Sequence, residues 1–229
     1  MDKARVLRAA VVGGGSWGTA LAHLLAVGGH EVRLVLRDAA VAAAVNSRHE
    51  NPRYLPGRRL HPAVRAETTS AVLAEADVTV LAVPCQQVRS FLETAKSRLA
   101  PGAVLVNAAK GLETMRLETV GQMTLAVLDD LKPRYAVLSG PSFAAEVLDR
   151  RPTAVVLGCA DETLGARLRG VFSTEWFRCY SCTDVIGVEL GGALKNVMAI
   201  AAGLCDGLGF GHNARAALMT RGLAEMSRL

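Results

Sequence analysis

The sequence predicts an α/β fold, with a mostly parallel sheet covered by helices and followed by the start of an all-helical domain. Short β-rich runs alternate with helical runs along most of the 229 residues. Apolar residues make up 51% of the chain and aromatic residues only 4%, which suits helices on a parallel sheet better than an antiparallel sandwich. The continuous apolar run Val78–Val83 is typical of a strand that is buried on both faces.

The predicted strands are short and rich in aliphatic residues. In chain order they are Ala9–Val12, Glu31–Leu36, Val78–Val83, Val104–Asn107, Ala136–Ser139, Thr153–Leu157 and Phe177–Tyr180. The predicted helices are Trp17–Val27, Ala39–Asn46 and Glu162–Val171, with one more within Gln86–Leu99 and another within Leu117–Leu131. Because strands and helices alternate, we expect βα units with right-handed crossovers.

The pattern changes after Thr183. Thr183 or Asp184 can cap a helix, and no strand is predicted beyond that point. We therefore expect a sheet domain at residues 1–183 and the N-terminal part of a helical domain at residues 184–229. About 45 residues make a poor independent core, so the helical domain is expected to be truncated.

Composition favours a cytoplasmic protein with a small-molecule partner. The five cysteines include one C-x-x-C pair, Cys179 and Cys182. No second pair and no histidines lie at zinc-ligand spacing, so we expect reduced thiols and no metal. The net charge of +5 comes without an aromatic-interleaved basic stripe, so nucleic acid is not expected. The apolar run Val185–Leu204 is long enough to span a bilayer, but it contains Glu189 and Lys195. Each such charge costs about 2.5–3.5 kcal/mol at mid-span, so we expect a buried helix and no membrane span.

A glycine-rich turn follows the first predicted strand and opens the first helix. Gly13 permits a tight turn, Gly15 allows a pyrophosphate to approach the backbone, and Gly18 lets helix and strand pack closely. The helix N-terminus then offers free N–H groups to the phosphates. This strand–turn–helix context predicts a Rossmann-type dinucleotide-binding domain.

Arg37 and Asp38 follow the second predicted strand, about twenty residues further on. An acidic residue at this position binds the ribose 2′-OH of NAD, whereas an arginine accommodates the 2′-phosphate of NADP. Arg37 favours NADPH as the cofactor, and Asp38 leaves NAD open.

Three polar features suggest a reaction centre. Lys110 and the turn Ser139–Ser142 each follow a predicted strand, at the edge where open α/β sheets bind ligands. Lys195 lies in an apolar helix among small residues, where burial would lower its pKa and suit it to proton transfer. The alternative for Lys195 is a lysine that extends to the wet side of an amphipathic helix.

Six segments resemble the bacterial-type NAD(P)-dependent glycerol-3-phosphate dehydrogenases. The short ones are Gly13–Ala20 (GGGSWGTA), Asn51–Gly57 (NPRYLPG), Lys110–Glu113 (KGLE), Ser139–Phe143 (SGPSF) and Pro152–Val156 (PTAVV). The long one, Val185–Asn213 (VIGVELGGALKNVMAIAAGLCDGLGFGHN), is the most specific. The resemblance implies reversible reduction of dihydroxyacetone phosphate to sn-glycerol 3-phosphate, which feeds phospholipid synthesis.

The resemblance also implies roles for individual residues. The cofactor would contact the glycine turn and Ser16, Trp17, Arg37, Tyr54, Lys110 and Ala144. The substrate would contact Lys110, Gly140, Ser142 and Lys195. Lys195 would accept the proton during glycerol-3-phosphate oxidation and donate it during the reduction.

Family members continue for roughly another hundred residues, which carry further phosphate and cofactor contacts. Two alternatives therefore stay open: a dinucleotide-binding fragment without turnover, and a related dehydrogenase acting on an unphosphorylated acid. The oligomeric state is open as well, with a homodimer as one alternative.

Overall fold

The computed structural model describes residues 6–228, so the outer ends of the two predicted domains, residues 1–5 and Leu229, lie outside the described residues. It contains one eight-stranded sheet. The strands are β1 Arg8–Val12, β2 Glu31–Val35, β3 Val64–Glu67, β4 Val78–Leu81, β5 Val104–Asn107, β6 Arg134–Ser139, β7 Thr153–Gly158 and β8 Phe177–Cys182. The helices are α1 Ser16–Val27, α2 Ala39–Arg48, α3 Cys85–Ala95, α4 Val120–Val127, α5 Ala144–Leu148, α6 Glu162–Phe172, α7 Val185–Gly207 and α8 Gly211–Met226.

The strand order is β3-β2-β1-β4-β5-β6-β7-β8, and every neighbouring pair is parallel except β6 with β7. The predicted Rossmann-type, mostly parallel sheet is therefore confirmed. The strand order reverses between β1 and β4, and this is the point at which open sheets form a ligand crevice. Register makes the carboxyl ends level there, since Val12 pairs with both Val35 and Leu81.

Helices cover both faces of the sheet, which gives three layers. One apolar core lies under α1, α2 and α6 and includes Leu21, Leu34 and Phe172. The other lies under α3 and α4 and includes Leu92 and Met123. These cores hold the loops at the carboxyl edge of the sheet in fixed positions.

The structure adds one strand to the predicted set. β3 is a short edge strand, with the sequence VRAE, that pairs only with β2. Its two charged residues hid it from a search for apolar runs, because an edge strand can leave one face polar. Helix α4 lies within the predicted range Leu117–Leu131, and a capping box of Thr119 and Gln122 begins it at Val120.

The region after Thr183 is helical, as predicted, and Asp184 is the cap, accepting a 2.8 Å hydrogen bond from the Gly187 amide. The expectation that α7 is buried is wrong for the described chain. Val197, Ile200 and Leu204 are each more than 60% exposed, because among residues 6–228 only the sheet domain and α8 pack against this helix. By length and composition alone, α7 is the one helix of this part of the chain that could cross a membrane.

Candidate active site

A cleft of about 1390 Å³ opens at the carboxyl edge of the sheet, beside the β1–β4 switch point. Most of the predicted site residues line it: Gly13, Gly15, Ser16, Trp17, Arg37, Tyr54, Lys110, Ser142 and Ala144. Gly18, Gly140 and Lys195 are not part of its lining. The cleft therefore brings together residues that are separated by up to 131 positions in the sequence (from Gly13 to Ala144).

The three glycines of the turn occupy positions that differ in their steric demands. Gly13 has a φ of 119°, and a Cβ there would lie 2.5 Å from the Ala82 carbonyl oxygen. A Cβ on Gly18 would lie 1.9 Å from the Gly13 carbonyl oxygen, so Gly18 supports close packing of α1 on the turn rather than ligand contact. A Cβ on Gly15 would meet no atom within 4 Å, which leaves open space for a ligand.

The first turn of α1 is suited to an anion. Gly15 is its N-cap, with no side-chain hydrogen bond to the helix and no acidic residue in the first turn. The amides of this turn therefore remain available to a phosphate, and the helix dipole favours negative charge there.

Asn51 fixes the position of the glycine turn, although in the sequence it stood out only as the first residue of the segment Asn51–Gly57. Its side chain is fully buried, and Nδ2 donates to the Gly14 carbonyl oxygen (2.9 Å) and to Thr19 Oγ1 (2.8 Å). Its Oδ1 accepts from the Tyr54 amide at 3.2 Å. Asn51 thereby fixes the 51–59 loop to the glycine turn, an effect that only the three-dimensional contact reveals.

The far end of the cleft carries two arginines and one carboxylate. Arg37 is exposed, and Asp38 caps α2 through Oδ1, which accepts from the amides of Ala40 (3.0 Å) and Val41 (3.2 Å). Arg53 donates to the other oxygen of Asp38 at 3.2 Å. The pKa of Asp38 is lowered chiefly by the Val41 amide, with Ala40 and Arg53 adding to the effect, so this carboxylate is charged and engaged.

The two predicted lysines converge on the turn after β6. Lys195 Nζ donates to the Gly140 carbonyl oxygen at 2.9 Å. Ser142 Oγ donates to the same oxygen at 3.3 Å, and Lys110 Nζ lies 3.4 Å from Ser142 Oγ. The Lys110 ammonium also lies 5.4 Å from the Trp17 ring centroid, within range of a cation–π interaction.

Burial lowers the pKa of both lysines, and repulsion by Lys195 adds to the effect at Lys110. Burial, reinforced by the positive charge of Lys195, lowers the pKa of Lys110 from 10.5 to about 8. Burial also lowers the pKa of Lys195. A lysine whose pKa falls toward neutrality can exchange a proton, and one that keeps its charge attracts anions.

The loop that carries Lys110 is fastened to α3. Arg89 makes a two-pronged ion pair with Glu113, at 2.5 and 3.1 Å, and a further contact with Glu118. Gln86 Nε2 donates to the Leu112 carbonyl oxygen at 2.7 Å. These contacts fix Lys110 from outside the cleft, and no local sequence signal identified them.

Helix α7 is fastened to the sheet domain by Glu189, which is 9% exposed. Its Oε1 accepts from the Tyr135 hydroxyl at 2.6 Å and from the Gly121 amide, in the first turn of α4, at 2.8 Å. Gly192, one turn further on, allows close approach, since a Cβ there would lie 2.5 Å from Ser139 Oγ. About one further turn along, Lys195 reaches the Gly140 carbonyl oxygen, so three contacts fix the helix that carries the lysine.

Comparisons with known protein families agree with this arrangement. The family model for the N-terminus of NAD-dependent glycerol-3-phosphate dehydrogenase matches residues 8–165. The model for the C-terminus of the same enzyme matches residues 184–229.

Individual relatives point the same way. A glycerol-3-phosphate dehydrogenase (NAD(P)+) of Desulfovibrio desulfuricans is 66% identical over 219 residues, covering 96% of this chain and 66% of the relative. One from Streptomyces griseus is 47% identical, covering 97% of this chain and 67% of the relative. The chain thus spans about two thirds of the length of the curated relatives it matches.

Solved structures extend the likeness to three dimensions. Glycerol-3-phosphate dehydrogenase from Coxiella burnetii has a TM-score of 0.89 and 35% identity, covering 97% of this chain and 68% of that one. The Saccharomyces cerevisiae enzyme has a TM-score of 0.86 and 25% identity, covering 98% and 70%. Fold, site geometry and relatives agree, and the chain belongs to the NAD-dependent glycerol-3-phosphate dehydrogenase family.

Proposed function

We propose that this chain takes part in the interconversion of dihydroxyacetone phosphate and sn-glycerol 3-phosphate by hydride transfer with NAD(P)H, supplying glycerol phosphate for phospholipid synthesis. The observation that carries the proposal is the convergence of Lys110 and Lys195 on the Gly140–Ser142 turn, beside a dinucleotide-type cleft. Family membership names the reaction, and this geometry supplies groups that the reaction needs.

The residues of the cleft fit a nicotinamide dinucleotide. The open amides of Gly15 and Ser16 suit the pyrophosphate, and Gly13 and Gly18 set the shape of the turn. The remaining cofactor contacts are assigned to Trp17, Arg37, Tyr54, Lys110 and Ala144, all of which line the cleft. Arg37 favours NADPH over NADH.

A bound nicotinamide supplies or accepts the hydride at C2 of the substrate. During reduction, negative charge develops on the C2 oxygen, and Lys195 Nζ donates the proton to that oxygen. Lys110 Nζ, held near Ser142, stabilises the developing charge and orients the substrate. In the reverse direction Lys195 accepts the proton from the hydroxyl group.

The substrate is proposed to be a small phosphorylated molecule that contacts Lys110, Gly140, Ser142 and Lys195. Two neighbouring ammonium groups favour an anion, because each lowers the cost of placing negative charge between them. We further propose that residues 1–183 form the cofactor domain and residues 184–229 belong to a helical substrate domain. Helix α7 of the second domain then contributes Lys195 to the site on the first domain.

The test is steady-state oxidation of NADPH by dihydroxyacetone phosphate with the wild-type chain and the Lys195→Ala variant. We expect the variant to lower kcat by at least ~10²-fold, the low end for a positioned proton donor, and to leave the NADPH Kd little changed. Lys195→Arg should not restore turnover, because guanidinium is a poor proton donor near neutral pH.

Lys132→Ala, at an exposed lysine outside the cleft, is the matched control. A folded Lys195→Ala variant within about threefold of wild type would refute the role of Lys195. A wild-type chain that binds NADPH without turnover would refute the catalytic proposal and select the binding-only alternative.

A further inference from the structure

The end of the cleft that contains Arg37 also contains a second arginine, Arg53, whose hydrogen-bond partner is Asp38 rather than the glycine turn. Arg53 comes from the 51–59 loop, lines the cleft beside Arg37 and Tyr54, and has a side chain that is 61% exposed. Its guanidinium carbon lies 5.4 Å from the Tyr54 ring centroid. Arg53 thus presents a cation to the end of the cleft opposite the lysines.

The backbone around Arg53 is held by hydrogen bonds although the Arg53 side chain is exposed. The neighbouring Tyr54 amide donates to the buried Asn51 side chain, and the Leu55 amide donates to the Asn51 carbonyl oxygen at 2.9 Å. Leu55 is itself 3% exposed. The guanidinium is therefore carried on a fixed turn, which reduces the entropy lost when it orders on a ligand.

Asp38 occupies the position at which a carboxylate selects NAD by accepting a hydrogen bond from the ribose 2′-OH. Here both carboxylate oxygens already have partners. One accepts from the amides of Ala40 and Val41, and the other accepts from Arg53. Asp38 is therefore an anchor for α2 and for Arg53 rather than a free acceptor for ribose.

The charges of this region favour a phosphate monoester. Arg37, Arg53 and Asp38 together give a formal charge of +1, whereas removing Arg53 leaves zero. The planar guanidinium matches a phosphate through two parallel hydrogen bonds, and one of its edges can turn from Asp38 to an incoming dianion. Because the Arg53–Asp38 pair is largely exposed, the pair itself contributes little stability and can exchange partners.

We propose that Arg53 is the second cation, with Arg37, of a subsite for the 2′-phosphate of the adenine ribose, and that it gives the chain a preference for NADPH. The inference rests on the proposed dinucleotide function. It assigns the cofactor preference to a pair of arginines from two different loops, with Asp38 holding Arg53 in place until the phosphate arrives.

The experiment measures the Kd of NADPH and of NADH by nucleotide fluorescence for the wild-type chain and for Arg53→Ala. We expect Arg53→Ala to weaken NADPH at least ~10-fold and NADH less than about threefold, since only NADPH carries the 2′-phosphate. Arg53→Lys should be intermediate, because it keeps the charge and loses the planar fork. Adenosine 2′,5′-bisphosphate and adenosine 5′-monophosphate should reproduce the difference.

Two further variants make the test specific. Arg59→Ala removes an equal charge from the same loop at an exposed position outside the cleft lining, and it should leave the ratio of the two Kd values unchanged. Asp38→Asn keeps a capping side chain and should not weaken NADH, whereas a direct contact from Asp38 to ribose would make NADH bind less tightly.

Equal weakening of both cofactors by Arg53→Ala would overturn the inference and assign Arg53 to adenine or pyrophosphate, which the two cofactors share. An unchanged NADPH Kd would overturn it as well. Failure of the wild-type chain to bind either dinucleotide would instead overturn the proposed function, so the two failures are distinguishable.

Discussion

Replacing Lys110 by methionine should stabilise the protein and weaken ligand binding at the same time. The pKa of Lys110 falls from 10.5 to about 8 because the ammonium is buried and repelled by Lys195. At 1.36 kcal/mol per pH unit this difference corresponds to about 3 kcal/mol. Partial exposure and the contact with the Trp17 ring reduce the cost, so we expect about 1–2 kcal/mol.

The sign of the pH dependence follows from linkage. The unfolded chain holds the Lys110 proton up to its ordinary pKa of 10.5, whereas the folded chain releases it near 8. Between these values the unfolded state binds more protons, so the contribution of this group to stability rises with pH. The methionine variant should therefore gain about 1–2 kcal/mol at pH 7, and the gain should shrink as the pH approaches 10.

Urea unfolding at a series of pH values measures this gain, and nucleotide fluorescence measures binding to the same samples. Lys132→Met, at an exposed lysine outside the cleft, should show neither effect. A Lys110→Met variant that is less stable than wild type at pH 7, or whose gain does not change with pH, would refute the argument. NADPH binding that matches wild type would remove Lys110 from the cofactor site.

The remaining predictions concern glycines and the fastening of α7. Gly18→Ala should lower the free energy of unfolding in urea by about 1–3 kcal/mol, because the new Cβ would lie 1.9 Å from the Gly13 carbonyl oxygen. Gly15→Ala should unfold like wild type, because its Cβ would meet no atom within 4 Å. It should bind NADPH at least ~10-fold more weakly, because the Cβ would enter the space for the pyrophosphate. Equal stability losses in the two variants would contradict this. Glu189→Ala should destabilise the protein by about 3 kcal/mol, because it leaves the Tyr135 hydroxyl and the Gly121 amide without their acceptor. Glu189→Gln keeps an acceptor oxygen and should recover part of that loss. A Glu189→Ala variant with the wild-type free energy of unfolding in urea would show that other contacts hold α7.

The sheet was predictable because its signal is local. The central strands β1 and β4 are largely apolar runs, and the glycine turn follows the first of them at the spacing that close packing demands. The edge strand β3 escaped prediction, since its pairing with β2 is a long-range contact that leaves two charged side chains on a four-residue segment. Tertiary pairing, rather than local propensity, makes it a strand.

The residues of the cleft could be predicted only where a local sequence pattern indicates them. Lys110 and the Ser139–Ser142 turn could be found because each follows a strand, which places it at the ligand-binding edge. Asn51, Arg89 and Glu189 could not be found in this way. Their importance lies in partners 24 to 68 positions away, and no spacing rule connects residues that meet only after folding.

The Gly140 carbonyl explains how these distant contacts act on the chemistry. Gly140 has a φ of 147°, and a Cβ there would lie 3.0 Å from the Val155 Cα, so only glycine directs this carbonyl toward the lysines. The oxygen accepts from both Lys195 and Ser142, and Ser142 in turn contacts Lys110. In the proposed mechanism, a substrate oxygen that takes the Gly140 oxygen's place on Lys195 would find a proton donor already oriented at hydrogen-bonding distance. The backbone turn would therefore hold the proposed donor in position before the substrate arrives, and Glu189, six residues earlier on α7, anchors the helix that carries it.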